Sequence, residues 1–415
     1  MPRTVTIAGR STLQGRPGRS MAHRFLARLA HKVEYGQLLI EFPSGETLLC
    51  EGKRAGPKAS VVLGRWRAVR RLVIGGDIGF AEAYMDGDWS SPDLTSLIEL
   101  AAYNFRTLVP AMGGTWLSRL AHRLWREGRA NSKRGSRRNI PAHYDLGNEF
   151  YAAWLDPAMN YSSGLYESGG ATLEQAQAAK QGLAIDFLEL SRGERVLEIG
   201  CGWGSLAARL AREHGCDVIG LTLSPSQLTY ARGLIDEAGA GTGRVELLRL
   251  DYRDAVGTFD RVVSIEMLEA VGKEYWNTYF STVHDRLRPG GIAALQVITM
   301  ADERYKEYER GTDFIQRHIF PGGMLPSPAI MRERIAAAGL QLECVRNFGA
   351  SYGRTLAEWR ARFLAAWPRL RLMGFDETFR RKWEYYLAYC EAGFRAGAID
   401  VGIYQCRRPA VADLP

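Results

Sequence analysis

Between residues 195 and 298 the apolar positions fall into short blocks separated by amphipathic stretches. Arg195–Ile199, Asp217–Leu221, Val245–Leu250, Arg261–Ile265 and Ile292–Ile298 are apolar runs of strand length. Ser205–His214, Pro225–Ala238 and Lys273–Leu287 carry helical spacing instead. Apolar strands alternating with helices predict an open parallel sheet with helices on both faces. Upstream the pattern changes. Met21, Phe25, Leu29 and Val33 recur at helical intervals with basic residues between them. Strand-like runs at Gln37–Phe42, Ser60–Leu63 and Arg71–Ile74 are separated by Gly and Pro, and helical patterns follow at Phe80–Met85 and Asp93–Phe105. Residues 21–105 therefore read as a small N-terminal α+β domain. Residues 1–20, rich in Gly, Pro, Ser and Arg, read as a mobile basic tail. After residue 300 the pattern predicts a loop-rich insertion and then an aromatic-rich helical tail.

Residues 106–140 read as a basic linker. Arg119, Arg123, Arg126, Arg129, Lys133, Arg134, Arg137 and Arg138 are interrupted by one acid, Glu127. Two readings stay open: a solvated linker helix, or a patch facing phosphates at a membrane surface. The whole chain of 415 residues carries 54 basic and 46 acidic residues, a net charge of +8. That excess predicts an anionic partner, either nucleic acid or an anionic lipid surface. A nucleic-acid groove would interleave aromatics with the basic residues, yet Trp125 is the sole Phe, Tyr or Trp in the run, so no nucleic acid is expected. No apolar run approaches the ~18 residues that span a bilayer. The basic N-terminus lacks the apolar core of a signal peptide. Six scattered cysteines without CxxC spacing indicate neither a zinc site nor a disulfide framework, and no metal is expected. A cytoplasmic protein, peripheral at the inner membrane surface, is the expectation.

The chemistry starts at Val196-Leu197-Glu198-Ile199-Gly200-Cys201-Gly202-Trp203-Gly204. A strand turning sharply into a helix needs residues without a Cβ, and such a turn lets a ligand lie on bare backbone. The dinucleotide fingerprint G-x-G-x-x-G is not met, because Ser205 stands where its third glycine would be. The second strand ends in Leu221-Thr222-Leu223-Ser224, with no acid for a ribose. Glu198 lies before the first glycine and can hold a ligand's amino group. This pattern resembles motif I of the class I S-adenosylmethionine (SAM) methyltransferases, with the ligand at the carboxyl ends of the strands.

Further stretches extend the resemblance: His143-Tyr144-Asp145-Leu146-Gly147-Asn148 with Asn160-Tyr161-Ser162; Asp251-Tyr252-Arg253; Glu266-Met267-Leu268-Glu269-Ala270-Val271-Gly272; and Ile319-Phe320-Pro321-Gly322-Gly323-Met324-Leu325-Pro326-Ser327. From about residue 140 to 406 the chain resembles the cyclopropane-fatty-acid synthase family, which includes the mycolic acid cyclopropane synthases. Ala83-Tyr84-Met85-Asp86-Gly87 resembles part of the N-terminal domain of its longer members. The resemblance implies a Rossmann-like mixed seven-stranded sheet in a catalytic domain over 141–408, with an acyl-chain pocket, and a lipid-interaction role for 21–105. It implies methyl transfer from SAM to the double bond of an unsaturated acyl chain of a membrane phospholipid. Proton loss from the added methyl then closes a cyclopropane; loss from a neighbouring carbon gives a methyl-branched or methylene product. A homodimer is carried by the resemblance alone.

By similarity, Tyr161, Ser162, Gly200, Gly202, Gly204, Thr222, Leu223, Gln227, Tyr252 and Arg253 line the SAM site. On their own chemistry Leu223 also suits the core, and Thr222 and Gln227 suit capping of the second helix. Glu269 and Tyr352 match the family's catalytic glutamate and tyrosine, although a glutamate starting a helix also serves as a cap or dipole partner. Cys390 matches a cysteine once regarded as catalytic in the family, but its aromatic helical surroundings also suit a packed thiol. His143 and His318 are acid/base candidates that also suit structural roles. In the family, a bicarbonate held by Cys, Glu, His and Tyr is thought to act as the base. Here Ser163 replaces that Cys, Gln296 replaces the His, and a second acid, Glu266, stands where many members carry Gly. Two neighbouring carboxylates disfavour a third negative charge and raise one pKa. Glu266, together with Glu269, is therefore expected to replace bicarbonate as proton acceptor, which opens the product to a methyl-branched unsaturated chain; the alternative is that Glu266 points elsewhere and Ser163 and Gln296 still hold bicarbonate. A methyltransferase acting on another small lipophilic substrate, or on an amine or phenol, is the competing enzyme reading.

Overall fold

The structure, a computed structural model, describes residues 5–6, 21–112, 131–133, 135, 146–238 and 243–410. The rest of the basic tail, the arginines of the 119–138 run and His143 lie outside the described residues. The chain forms two compact units.

The first unit comprises residues 1–125, 311–317 and 367–398. Its five strands are β1 (Val5–Thr6), β2 (Tyr35–Glu41), β3 (Thr47–Glu51), β4 (Arg54–Leu63) and β5 (Trp89–Ser90), in the order β1-β3-β2-β4-β5. β2 runs parallel to β4, and the other pairings are antiparallel. The strand expected at Arg71–Ile74 is instead helical, in the first part of the stretch Arg67–Met85, which kinks at Gly76 (φ +61°). Its three adjacent apolar residues look strand-like. What decides is the helical spacing of the buried Ala68, Val69 and Leu72, which leaves Val73 and Ile74 exposed. The aromatic tail was expected within the catalytic domain, 141–408. Its helix Glu377–Arg395 belongs to the first unit, where the buried Glu391 accepts from Thr95 Oγ1 (3.0 Å) and pairs with Arg395 (2.6 Å).

The second unit comprises residues 126–310, 318–366 and 399–415. Its seven strands are β6 (Arg195–Ile199), β7 (Asp217–Thr222), β8 (Arg244–Arg249), β9 (Phe259–Ile265), β10 (Leu287–Met300), β11 (Gln341–Asn347) and β12 (Ile399–Arg407). Their order is β11-β12-β10-β9-β6-β7-β8. β10, β9, β6, β7 and β8 run parallel, and β12 is antiparallel to both of its neighbours. Along β10 Ala293, Ala294, Leu295 and Val297 are all but inaccessible. Strands buried on both faces read as continuous apolar runs, which is why this sheet was visible in the sequence. Helices Trp276–Arg286 and Pro328–Ala337 contribute Tyr279, Phe280, Val283, Met331 and Ile335 to its core. Each such buried side chain contributes about 1.5–3 kcal/mol. Helix Leu173–Leu188, opened by a Thr172/Gln175 capping box, packs on β9, β10 and β12. The insertion after residue 300 is more helical than expected, with helices at Asp302–Arg310, Phe314–His318 and Pro328–Ala337. The last is started by Ser327 as cap and a proline in its first turn.

Candidate active site

β6 ends at Ile199, and the chain turns through Gly200, Gly202 and Gly204 at φ of +87°, +54° and +87° before helix Ser205–His214 begins. A Cβ on Gly204 would stand 2.9 Å from the Cβ of Ala231, so this glycine lets two helices approach. Gly202 lines a cavity, and a Cβ there would meet nothing within 4 Å. Bare backbone therefore faces the cavity at this point. The cavity opens at the carboxyl ends of β6, β7 and β9 and just beyond β8, walled by Ile199, Leu221, Leu250 and Ile265. This is where open α/β sheets bind ligands.

Thr222, Leu223, Gln227, Tyr252 and Arg253 all line it, together with Gly200. Thr222 Oγ1 donates to Gln227 Oε1 (2.9 Å). The amide of Gln227 is taken by Ser224 Oγ (3.3 Å), so the N-terminal hydrogen bond falls to Ser224 and leaves Thr222 and Gln227 on the cavity. Arg253 makes two bonds to Asp251 (2.8 and 2.7 Å) and lies over the rings of Tyr252 and Tyr275. Burial raises the Asp251 pKa, but the Arg253 bonds outweigh it and hold the carboxyl below the usual range. The cavity thus combines bare backbone, hydrogen-bonding side chains and apolar walls, a set that fits SAM.

Four expected cofactor residues are not among those lining the cavity: Gly204, packed on Ala231, and Glu198, Ser162 and Tyr161. Glu198 is 3% exposed, and its carboxylate accepts the Ala207 amide in the first turn of helix Ser205–His214. Burial pushes its pKa up to about 7, against the pull of the Lys180 ammonium. Ser162 accepts from Lys180 Nζ at its Oγ (2.7 Å) and from Gln177 Nε2 at its carbonyl (2.7 Å). Tyr161 sits among Tyr151, Trp154 and Trp359, with ring centroids 5.3–5.7 Å apart.

The catalytic candidates converge at the end of β9. Glu266 lines the cavity and adopts φ +49°, a left-handed conformation that costs a non-glycine residue about 1 kcal/mol or more. Its carboxylate accepts three hydrogen bonds. Oε1 accepts from the Ser163 amide (2.8 Å) and Gln296 Nε2 (2.6 Å), and Oε2 accepts from the Tyr352 hydroxyl (2.6 Å). β9 and β10 pair Ile265 with Gln296, which puts Gln296 beside Glu266. Burial raises the Glu266 pKa, opposed by Tyr352, Ser163, Lys180 and Gln296. Glu269 lies in the short turn Leu268–Ala270 and accepts from the Ile298 amide (2.6 Å). Its pKa is pushed up to about 8, first by burial and then by the charge of Glu266. Ser163, Glu266, Gln296 and Tyr352 are thus brought into one cluster, with Glu269 alongside. Cys390 is not brought in: it lies on helix Glu377–Arg395 of the first unit. His318 is not among the cavity-lining residues.

The sequence reading missed Lys180, Asn131 and Asp251. Asn131 lines the cavity and donates to the Ala270 carbonyl (2.9 Å). Asp251 was quoted only within its motif. For Lys180 a signal existed: Gln177, Lys180 and Gln181 stand at helical spacing where apolar residues would be expected, and all three are buried.

The end of β7 offers no acid to a ribose, and β12 returns antiparallel beside β10. With the glycine turn, these features define a class I SAM-dependent methyltransferase. Comparison with known proteins narrows the class. The family model of mycolic acid cyclopropane synthetase matches residues 131–404, and the chain belongs to that family. Tuberculostearic acid methyltransferase UfaA1 of Mycobacterium tuberculosis is 41% identical over 340 residues, 80% of this chain and 79% of the relative. The cyclopropane-fatty-acyl-phospholipid synthase of Escherichia coli K12 is 35% identical over 343 residues, 80% and 83% of the two chains. The crystal structure of mycolic acid cyclopropane synthase CmaA1 complexed with SAH and CTAB superposes with a TM-score of 0.62 at 32% identity, covering 65% of this chain and 98% of that one.

Proposed function

We propose that this methyltransferase acts on the double bond of an unsaturated acyl chain in a membrane phospholipid, giving a cyclopropane fatty acid, with Glu266 as the proton acceptor. The observation that carries this reading is the set of donors closed around the Glu266 carboxylate. Ser163 and Gln296 stand where the family holds its bicarbonate, and here both donate to a carboxylate of the chain itself. A separate anion does not fit these residues, and no step passes through one.

When bound, SAM supplies a sulfonium methyl that leaves to an alkene carbon, the sulfur keeping the bonding pair. The acyl chain is left with a carbocation at the other alkene carbon. Glu266 then takes a proton from the added methyl, and the released C–H pair closes the third ring bond. Aromatic faces stabilise positive charge in a dry site, and Tyr161, which immediately precedes Ser162 in the chain, packs with Trp154 and Trp359 in a cluster of rings. The net charge of +8 supports a peripheral position on an anionic membrane surface, where the substrate resides.

A second reading ends in a methyl-branched unsaturated chain, with Glu266 taking a proton from a carbon next to the cation. The UfaA1 relative favours it by its name. A carboxylate anchored by several donors also has less freedom than an ion to follow the new methyl.

The test uses phospholipid vesicles with cis-unsaturated chains and SAM, with and without rigorous removal of bicarbonate. Activity is expected to survive bicarbonate removal and to fall by about 100-fold or more in Glu266→Gln. Collapse without bicarbonate, together with a silent Glu266→Gln, would sink the base assignment. Proton NMR of the product lipid separates ring protons from vinyl protons, since the two products have the same mass.

A further inference from the structure

Helix Leu173–Leu188 presents three buried polar side chains to the strand of chain that leads into the active site. Gln177, Lys180 and Gln181 are 1%, 2% and 7% exposed. Gln177 Nε2 donates to the Ser162 carbonyl (2.7 Å), Lys180 Nζ donates to Ser162 Oγ (2.7 Å), and Gln181 Nε2 donates to Asn160 Oδ1 (2.9 Å). The next residue, Ser163, gives its amide to Glu266. One helical face therefore grips the segment 160–163 at three points, one residue before it meets the proposed base.

A fully buried ammonium is costly, and a neutral side chain would hold Ser162 as well. A buried lysine thus calls for a task that needs its charge. Lys180 faces three carboxylates: Glu266 at the end of β9, Asp156 in the segment after helix Asn148–Ala152, and Glu198 on β6. Asp156 is occupied with the Ala158 and Asn160 amides and the Asn160 side chain. Glu198 is also stabilised by the Ala207 amide of the helix after the glycine turn. Glu266 in turn faces Lys180, the Tyr352 hydroxyl from helix Gly349–Leu372, and the second carboxyl, Glu269. Among these neighbours, Lys180 is the one cation acting on Glu266.

We infer that Lys180 is a positioning residue for the proton transfer: it fixes the Ser162–Ser163 segment against Glu266 and supplies the positive charge that keeps this carboxylate ionised and ready to accept. The inference rests on the reading of Glu266 as base. Burial lowers the Lys180 pKa to about 8 while the three carboxylates raise it, so the ammonium persists at neutral pH. Without it, burial is opposed only by the hydrogen bonds from Tyr352, Ser163 and Gln296, and Glu266 moves toward its protonated, inactive form.

The experiment compares the pH dependence of kcat for the full chain with its Lys180→Met, Lys180→Gln and Lys180→Arg variants, on cis-unsaturated phospholipid vesicles with SAM. Lys180→Gln keeps a donor for Ser162 but no charge, and Lys180→Arg keeps the charge. In the two neutral variants the acid limb of the profile is expected to move up by about one pH unit or more, since one unit corresponds to 1.36 kcal/mol. Their kcat near neutral pH should fall about tenfold, with the KM for SAM changed by less than about threefold. Lys180→Arg should restore the limb. A limb that stays at the wild-type position in folded neutral variants overturns the inference. So does a loss confined to the KM for SAM, or failure of both neutral variants to fold, which would make Lys180 structural. Glu266→Gln in the same assay separates the two levels. If it stays active, the base reading fails; if it is inactive while the Lys180 variants keep the wild-type limb, this inference alone fails.

Discussion

Two buried carboxyls flank the Glu266 cluster, and they resist ionisation for different reasons. For Glu269 burial is reinforced by the charge of Glu266, and the result is a pKa of about 8. For Glu198 burial acts against the Lys180 ammonium, and the pKa settles at about 7. Both lie above the ordinary 4.5, so the native state holds protons that the unfolded chain has released. The stability these groups contribute is fully present below about pH 4.5 and is lost as pH rises through 7 to 8. Lys180 has the opposite sign: its pKa falls from 10.5 to about 8, so its contribution appears only as pH climbs above that value. The melting temperature should therefore decline from about pH 5 to about pH 8. Glu269→Gln, which mimics the protonated carboxyl, should flatten that decline in a thermal melt series. A variant whose melting temperature falls as steeply as that of the wild type would show that Glu269 is ionised across this range.

At the level of elements, the glycine turn divides its labour between packing and binding, and two substitutions separate the parts. Gly204→Ala forces a Cβ to 2.9 Å from Ala231 at φ +87°. Overpacking of this kind costs about 1–3 kcal/mol, which lowers the melting temperature by several degrees. Gly202→Ala meets no atom within 4 Å, so its cost is the left-handed backbone alone, about 1–2 kcal/mol. It should instead weaken SAM binding by about tenfold in calorimetry, because its Cβ would project into the cavity that Gly202 lines. If Gly204→Ala melts like the wild type and Gly202→Ala binds SAM normally, the division is wrong. The same turn shows what the chain reveals before it folds. The strands and helices from 195 to 298 were legible because the central strands are buried on both faces and carry apolar runs, the helices between them are amphipathic, and the mostly exposed edge strand β8 follows from that alternation. Arg71–Ile74 misled because Leu72, Val73 and Ile74 carry a strand-like composition, while the helix is set by its buried face across several turns. The role of helix Leu173–Leu188 was hidden for a different reason. Its polar triad, Gln177, Lys180 and Gln181, acquires meaning only when the segment 160–163 is packed against it. The expectation that Glu266 takes the place of a bound anion came from residue identities alone. The three hydrogen bonds to its carboxylate, from Ser163, Gln296 and Tyr352, needed the pairing of β9 with β10 and the placement of a helix distant in sequence.

For the molecule as a whole, the proposed substrate sets a physical demand: a protein with no membrane-crossing helix among its described residues would have to reach an acyl chain held in a bilayer. The first unit carries a surface that suits such a contact. Met21, Trp66, Val73 and Ile74 are exposed, at 80%, 38%, 39% and 51%, on elements that also carry the exposed Arg24, Arg65 and Arg70. Apolar side chains beside cations suit an interface where the one enters the headgroup boundary and the other meets anionic lipid. Each basic residue near such a surface contributes about 1 kcal/mol, and that share is screened by salt. The full chain should therefore sediment with vesicles containing anionic phospholipid, release progressively as ionic strength rises, and bind neutral vesicles weakly. The double substitution Trp66→Ala with Ile74→Asp should weaken vesicle binding by about tenfold without changing SAM affinity, since neither residue lies in the unit that holds the cofactor cavity. Equal binding to neutral and anionic vesicles at every salt concentration, or retention on RNA in preference to anionic vesicles, would assign the positive charge to another partner.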